Sequence, residues 1–161
     1  MGLSGVTHIY FDWSGTLARC GTTHLMSGSL HKKRATLYAD TLETLAYLRG
    51  RGYKVGLISN SDHPPVTVMA ALHDIGVGQY LNGAVVFGGS ICKKPCAAIF
   101  KAALQRDKVA PQHAIMIGNK YTTDINGAKG VGMQWVLIDK SKHADVGARR
   151  IHSLSQLKQI L

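Results

Sequence analysis

Short strand-like segments alternate with helical segments along most of this chain. Five runs rich in β-branched and aromatic residues have the length of buried strands, and apolar residues at helical spacing lie between them. Because parallel neighbours in a sheet need a long crossover, usually a helix, this alternation favours a parallel sheet. The sequence therefore predicts an α/β fold: a three-layer sandwich in which helices cover both faces of a central, mainly parallel five-stranded sheet. The predicted strands span residues 8–12, 53–58, 83–87, 114–117 and 135–138.

The composition is that of a globular protein. The chain has 161 residues, of which 45% are hydrophobic and 17% charged, so we expect one domain over residues 1–161. Residues 18–36, rich in Gly, Ser and Thr, are expected to form only a short flap. The apolar runs are too short to cross a membrane, and no membrane partner is expected. The three cysteines show no familiar spacing, which favours packing residues or free thiols and a cytoplasmic location.

A strong positive charge is the unusual feature of the composition. Nineteen Lys and Arg residues against nine acidic residues give a net charge of +10. Such a field attracts anions, which makes phosphate esters and nucleic acids candidate partners. The basic residues are dispersed, however, and no nucleic-acid-binding motif is recognised. A basic surface without a dedicated partner fits this charge equally well.

Four clusters of polar residues follow predicted strands or precede a predicted helix. Right-handed crossovers bring the carboxyl ends of parallel strands to one edge of the sheet, where open α/β sheets hold their ligands. Asp12 ends the first predicted strand, and a glycine-containing turn follows at once. We therefore expect the clusters to meet at that edge. They are Asp12 with residues 14–16, Ser59 with Asn60, Lys93 with Lys94, and Gly118 and Asn119 with Asp124.

In their order and context these clusters resemble the motifs of the haloacid dehalogenase-like (HAD) hydrolase superfamily. The matching stretches read DWSGTL, LISNSD, KKPCAAIF and IGNKYTTDINGAKGVG, and the resemblance extends over residues 7–138. One such fragment alone is weak evidence, whereas four in the right order are specific. In having only the short 18–36 segment at this position, the chain resembles the capless branch of that family, whose open sites often act on large substrates. The resemblance therefore implies a phosphorylated small molecule or a phosphorylated macromolecule as the partner.

The resemblance also implies a role for each residue at the sheet edge. Asp12 would attack a phosphate and form an aspartyl-phosphate, which splits one difficult displacement into two easier steps. Lys94, preferred to Lys93 by the family pattern Lys-Pro, would neutralise charge on Asp12 and on the phosphoryl group. Ser59 would donate a hydrogen bond to a phosphoryl oxygen. The residues expected to bind phosphate are Trp13, Gly15, Thr16, Ser59, Asn60 and Lys94.

A Mg²⁺ site is implied by the same resemblance. Its oxygen ligands would come from Asp12, the Ser14 carbonyl, Asn119 and Asp124. Two positions depart from the family pattern, because the phosphatases carry Asp in place of Ser14 and again in place of Asn119. Ser14 therefore takes the catalytic position of a general acid–base group, whose help is typically worth roughly 10²–10⁴-fold in rate. The missing acid at residue 119 predicts that Mg²⁺ binds weakly.

Three functions remain open from the sequence. The first is a Mg²⁺-dependent phosphomonoester phosphatase that acts through Asp12 with reduced competence, because Ser14 and Asn119 replace the usual acids. The second is a catalytically inactive protein that keeps the fold and binds a phosphorylated ligand or partner. The third is a metal-independent, dehalogenase-like hydrolase, because that branch of the family also lacks the second acid. The short, polar 18–36 segment disfavours the third function, since dehalogenases carry a substantial helical cap.

Overall fold

Strands and helices follow one another in the order that the sequence predicts. The computed structural model of the protein describes residues 3–19, 35–87, 92–141 and 149–161. The strands are β1 (His8–Phe11), β2 (Ala18–Arg19), β3 (Thr36–Leu37), β4 (Lys54–Asn60), β5 (Gly83–Phe87), β6 (Ala114–Gly118), β7 (Gln134–Ile138) and β8 (Arg150–Ile151). The helices are α1 (Thr41–Gly50), α2 (Pro65–Asp74), α3 (Ala97–Asp107), α4 (Asn126–Gly130) and α5 (Leu157–Ile160). A π-helical turn, Tyr121–Ile125, leads into α4, and 3₁₀ turns lie at Gly78–Tyr80, Pro111–His113 and Leu154–Gln156.

Six strands form the central sheet, in the order β5-β4-β1-β6-β7-β8. β1 lies inside the sheet, between β4 and β6, and every pairing in the sheet is parallel. The predicted α/β fold with a parallel sheet is therefore confirmed. The predicted strand number was wrong by one, because β8 adds a sixth strand beside β7. Two residues are too few to show the alternation by which a strand is recognised in a sequence.

Helices pack on both faces of the sheet and produce the predicted three layers. Ile9 and Phe11 of β1 lie in one apolar core together with Leu45 of α1. Tyr10, between them in the strand, lies in the opposite core together with Phe100 of α3. This alternation follows from the two-residue repeat of a strand. Burial of a large apolar side chain contributes about 1.5–3 kcal/mol, so the two cores fix the central strand from both sides.

The end of β4 differs from the prediction. β4 extends to Asn60 rather than stopping at residue 58, because Ser59 and Asn60 still pair with β5. α1 begins at Thr41, shortly after β3, which pairs with β2. α3 begins at Ala97, after the cis peptide bond between Lys94 and Pro95. Pairing with a neighbouring strand thus decides where β4 ends.

The predicted flap starts and ends in a short ladder. β2 and β3 are antiparallel, with Ala18 opposite Leu37 and Arg19 opposite Thr36. Residues 20–34, most of the segment, lie outside the described residues, so the flap and the single domain over residues 1–161 stay predictions. In the part of the chain that the structure describes, no helix is long and apolar enough to cross a membrane.

Candidate active site

Asp12 lies directly beyond the carboxyl end of β1. Its backbone N–H donates to the carbonyl of Ile117 at 2.9 Å and so extends the pairing with β6 by one residue. The residue is buried, with 7% of its surface exposed. The predicted nucleophile therefore stands at the carboxyl edge of the sheet, next to the ends of two neighbouring strands.

Backbone hydrogen bonds fix the turn that follows Asp12. The Trp13 carbonyl accepts from the N–H of Thr16 at 3.2 Å, and the Gly15 N–H donates to the Ala18 carbonyl at 2.8 Å. Gly15 has φ of +82°, a left-handed conformation that glycine adopts without strain. The fully buried Thr16 hydroxyl lies 3.5 Å from Asp12 Oδ2. Hydrogen bonds within the protein thus define the turn, and its Thr16 hydroxyl contacts the Asp12 carboxylate.

Some of the residues predicted to bind phosphate have their side chains turned into the protein. Trp13 is 2% exposed and packs in the core, where its Nε1 finds no hydrogen-bond partner among the described residues. Any phosphate contact from Trp13 must therefore come from its backbone, whereas the Thr16 N–H already donates to the Trp13 carbonyl. The Asn60 side-chain oxygen accepts from the Lys94 N–H at 2.8 Å, so this residue holds the lysine loop against β4. Ser59, 6% exposed, lies beside it at the same strand end.

Lys94 joins the two carboxylates of the site. Its Nζ donates to Asp12 Oδ1 at 2.5 Å, to Asp124 Oδ1 at 2.7 Å and to the Ile58 carbonyl at 3.1 Å. These three contacts use every donor of an ammonium group. Lys94 is buried, whereas its neighbour Lys93 is exposed. The structure thus places beside Asp12 the lysine that the family pattern favoured.

Burial and paired charges shift the pKa values of this group. Burial raises the pKa of Asp12 above its ordinary value; the Lys94 ammonium opposes that shift and the Asp124 carboxylate supports it. Burial alone would lower the pKa of Lys94, but attraction to the two carboxylates outweighs it and raises that pKa. Lys94 therefore stays charged at neutral pH. Because an ammonium donates to it at 2.5 Å, we take Asp12 to be ionised there as well.

Asp124 is held at the end of β6 by the π-helical turn. It is 1% exposed, and its second oxygen, Oδ2, accepts from the Lys120 backbone N–H at 3.1 Å. Gly118 makes this approach possible, because a Cβ at that position would lie 2.4 Å from Asp124 Oδ2. Both oxygens of this predicted metal ligand thus accept from protein donors, one from Lys94 and one from Lys120. No local sequence pattern indicates the Lys120 contact, which depends on the local π-helical geometry.

Asn119 faces the turn from the end of β6. With its NH₂ group toward Asp12, it donates to the Ser14 carbonyl at 3.0 Å and to Asp12 Oδ2 at 3.3 Å. The contact with the turn is close, because a Cβ at Gly15 would lie 2.8 Å from Asn119 Cγ. The structure therefore brings the predicted metal ligands together at one place.

The donor set at this place suits a small, hard cation. Carboxylate, carbonyl and amide oxygens, completed by water, are the ligands that Mg²⁺ prefers. Asp12 and the Ser14 carbonyl supply two of them, and Asn119 supplies a third when its amide oxygen is turned inward. Among the described residues there is no group of three or more His, Cys, Asp or Glu side chains that could hold a metal ion. Neutral oxygens must therefore contribute to any Mg²⁺ site here.

The expectation for two of the cysteines was wrong. Cys92 and Cys96 form a disulfide, with their Cα atoms 5.5 Å apart, around the loop that carries Lys94. An odd number of cysteines does not suggest a disulfide, so this one was not predicted from the sequence. The sequence feature that could have indicated it is that Cys92 and Cys96 flank the Lys94-Pro95 bend. Cys20 lies outside the described residues. Because disulfides are rare in reducing compartments, the cytoplasmic location stays a prediction.

Fold and site together define an α/β protein with a buried carboxylate and a buried lysine in contact at the carboxyl edge of a parallel sheet. Comparison with protein families makes the assignment specific. The sequence model for haloacid dehalogenase-like hydrolases matches residues 30–132, more than half of the chain. The chain belongs to this family, and the predicted membership is confirmed.

Relatives of the chain include both phosphatases and a dehalogenase. The glyceraldehyde 3-phosphate phosphatase of Methanothermobacter thermautotrophicus is 30% identical over 135 residues, which cover 77% of this chain and 58% of that protein. A HAD phosphatase from Thermococcus onnurineus superposes with a TM-score of 0.66 at 31% identity, over 78% of this chain and 58% of the other. A 2-haloacid dehalogenase from Pseudomonas syringae pv. Tomato superposes with a TM-score of 0.64 at 25% identity, over 79% of this chain and 54% of the other. The chain thus spans about half the length of these relatives.

Proposed function

We propose that this chain hydrolyses phosphate monoesters through an aspartyl-phosphate on Asp12. The observation that supports this most is the arrangement around one carboxylate: Asp12 is buried at the end of β1, and the Lys94 ammonium donates to it. The names of the phosphatase relatives support the same reaction class. A charged lysine inside the site suits a substrate that carries negative charge.

The reaction would proceed in two displacements. The Asp12 carboxylate forms a bond to phosphorus while the bond from phosphorus to the ester oxygen breaks, and that oxygen leaves as an alkoxide or phenoxide that takes a proton from solvent water. Water then attacks the aspartyl-phosphate, so that inorganic phosphate departs and the carboxylate is restored. Lys94, the Ser59 hydroxyl and N–H groups of the turn after Asp12 would stabilise charge on the phosphoryl oxygens.

Ser14 limits the first of these steps. A departing alkoxide needs a proton, and a serine hydroxyl is a far weaker acid than the carboxylic acid of the related phosphatases. We therefore infer reduced competence, with a preference for esters whose leaving group is itself acidic and needs little protonation. An aryl phosphate should thus react much faster than an alkyl phosphate.

Mg²⁺ is proposed as a weakly bound cofactor. Asp12, the Ser14 carbonyl, Asn119 and Asp124 would hold it, directly or through water. When bound, the ion would neutralise negative charge on the transferring phosphoryl group. Its affinity should be low, because one of the usual acids is the neutral Asn119 and Asp124 is already paired with Lys94.

Phosphorylated small molecules are the substrate class that we favour. The relatives named after glyceraldehyde 3-phosphate and phosphoglycolate act on small phosphorylated carbon compounds. The net charge of +10 would attract any such anion, as well as phosphorylated macromolecules and nucleic acid. A panel that includes all three classes separates these partners. We propose cytoplasmic residence together with this substrate class.

The test is a phosphate-release assay with and without Mg²⁺ on p-nitrophenyl phosphate and on alkyl phosphates. We expect slow release by the wild type, faster on the aryl ester, and none by Asp12→Asn. Asp74→Asn, the same substitution at an exposed position at the end of α2, is the matched control and should keep full activity. Release that persists undiminished in Asp12→Asn would contradict the proposal.

An inactive binding protein is the second candidate, and the serine at residue 14 favours it. In that case no phosphate ester is hydrolysed, while phosphorylated ligands still bind at the Lys94 edge of the sheet. The dehalogenase alternative makes a different prediction. Halide would be released from a 2-haloacid in the absence of metal, with the same dependence on Asp12.

A further inference from the structure

Asn119 contacts the oxygens that the proposed function assigns to the cation. Its amide group lies 3.0 Å from the Ser14 carbonyl oxygen and 3.3 Å from Asp12 Oδ2. Both oxygens accept hydrogen bonds when the NH₂ group points inward. With the opposite orientation, three oxygens would face one another at these distances, which is repulsive unless a cation lies between them.

The Asn119 side chain packs against the turn that carries Ser14. Gly15, the next residue of that turn, lies so close that a Cβ there would come within 2.8 Å of Asn119 Cγ. Asp12 lies beside the same amide group. A half-turn of the terminal amide exchanges its NH₂ group for its oxygen without moving the rest of the side chain.

The charge of the site determines which orientation of the Asn119 amide is favoured. Without a bound cation, an inward NH₂ group brings partial positive charge to the Asp12 carboxylate and to the Ser14 carbonyl. With a divalent cation at the same oxygens, an inward amide oxygen becomes a ligand and an inward NH₂ group becomes repulsive. A carboxylate at this position could not act in both ways, because it only accepts.

We propose that Asn119 is a cation-linked amide switch: its NH₂ group takes the place of the cation in the metal-free site, and its oxygen turns inward when Mg²⁺ binds. The inference rests on the proposed function only for the choice of oxygens that hold the ion. Cation binding must break two hydrogen bonds of the metal-free site. Asn119 therefore stabilises the site without metal and lowers its affinity for metal.

Metal binding is measured without any substrate, by calorimetry with Mg²⁺ and by the loss of free Mn²⁺ signal in electron paramagnetic resonance. We expect Asn119→Asp to bind either ion at least about tenfold more tightly than the wild type, because two hydrogen bonds no longer oppose binding and one negative charge is added. Asn60→Asp is the matched control. It adds the same charge next to Lys94 but at a residue that contributes no proposed ligand, so it should raise the affinity far less.

A second measurement detects the reorientation of the Asn119 amide in the wild type itself, by nuclear magnetic resonance. In ¹⁵N-labelled protein, the side-chain NH₂ signals of Asn119 are assigned by their absence from the Asn119→Asp spectrum. Addition of Mg²⁺ should move them away from hydrogen-bonded positions, whereas the Asn60 amide signals should change little. This readout stays valid if Asn119→Asp fails to fold.

The outcomes separate this inference from the proposed function. The switch would be overturned if the wild type and Asn119→Asp bound the metal with equal affinity, or if neither protein bound it. It would also be overturned if the Asn119 signals did not shift at saturating Mg²⁺. An affinity gain in Asn60→Asp as large as that in Asn119→Asp would overturn it as well, since charge alone would then explain the effect. A tenfold gain confined to Asn119→Asp supports the switch even if no phosphate ester is hydrolysed, a result that would count against the phosphatase alone.

Discussion

Lys94 Nζ lies 2.5 Å from Asp12 Oδ1, although 82 residues separate the two in the chain. The same ammonium reaches Asp124 at 2.7 Å, so one buried cation neutralises part of the charge of two buried carboxylates. This contact links the fold to the chemistry. Without the cation, Asp12, the proposed nucleophile, would share its site with an uncompensated second carboxylate.

Replacement of Lys94 by methionine should destabilise the protein strongly. Two buried carboxylates would lose their cation, and removal of one partner from a buried ion pair typically costs about 3–5 kcal/mol. Without the lysine, burial and the neighbouring Asp124 carboxylate would raise the folded-state pKa of Asp12 further above its unfolded value. The loss should therefore be largest at neutral pH and should shrink as the pH falls and Asp12 takes up a proton. Urea denaturation at neutral and at mildly acidic pH measures both quantities.

Lys93→Met is the control for this experiment. Lys93 is the adjacent residue and is exposed, so its removal should change the free energy of unfolding little at either pH. If Lys94→Met cost the same at both pH values, lost packing rather than the unpaired carboxylates would account for the effect, and the ion-pair account would be wrong.

Asp107 should make the protein sensitive to acid. Tyr10, in the central strand, donates to Asp107 Oδ2 at 2.6 Å, and Arg106 donates to both carboxylate oxygens. Burial acts to raise the pKa of Asp107, but the hydrogen bonds from Arg106 and Tyr10 outweigh it and lower that pKa. Asp107 thus contributes stability at pH values above its unfolded pKa, and this contribution is lost as the pH falls through the folded pKa.

We expect Asp107→Asn to cost about 1–3 kcal/mol at neutral pH, since a hydrogen bond to a charged group disappears. The variant should also lose less stability than the wild type on acidification. Tyr10→Phe, which removes the phenolic donor and keeps the ring, should reproduce part of the loss. An acid-unfolding curve of Asp107→Asn with the same slope as that of the wild type would show that this carboxylate plays no such role.

The disulfide between Cys92 and Cys96 should stabilise the loop that carries Lys94. It closes a loop of five residues, for which the loss of chain entropy in the unfolded state predicts at most about 2 kcal/mol. Reduction with a dithiol should therefore lower the melting temperature of the wild type by a few degrees. The double variant Cys92→Ser, Cys96→Ser should melt at the lower temperature with or without the reductant. A wild-type melting temperature that does not respond to the reductant would contradict the bonded state.

The sequence predicted the fold well because apolar periodicity and turn residues are local signals. The parallel sheet and the position of Asp12 at its edge follow from such signals. Lys94 and Asp124 required the family pattern in addition, since no local rule says which of several polar residues will meet in space. The sixth strand, the Cys92–Cys96 bond and the hydrogen bonds of Asn119 depend on tertiary contacts, and the sequence alone could not predict them.

Restoring the two missing acids should raise turnover on demanding substrates. In the double variant Ser14→Asp, Asn119→Asp, a carboxylic acid can protonate the leaving alcohol and the metal site gains a negative charge. We expect the rate on alkyl phosphates to rise by roughly 10²-fold or more, the lower range of what general acid–base help supplies. The gain on p-nitrophenyl phosphate should be smaller, because its leaving group needs little protonation. Equal rate gains on both esters would show that the missing general acid does not limit turnover in the wild type.

The most direct test of the account is to trap the covalent intermediate. Protein quenched in acid during turnover of a reactive aryl phosphate is digested, and its peptides are analysed by mass spectrometry. We expect one peptide that carries a single phosphoryl group, placed by fragmentation on Asp12 and absent from Asp12→Asn. Turnover with no phosphoryl group on Asp12, or with the group on another residue, would contradict it.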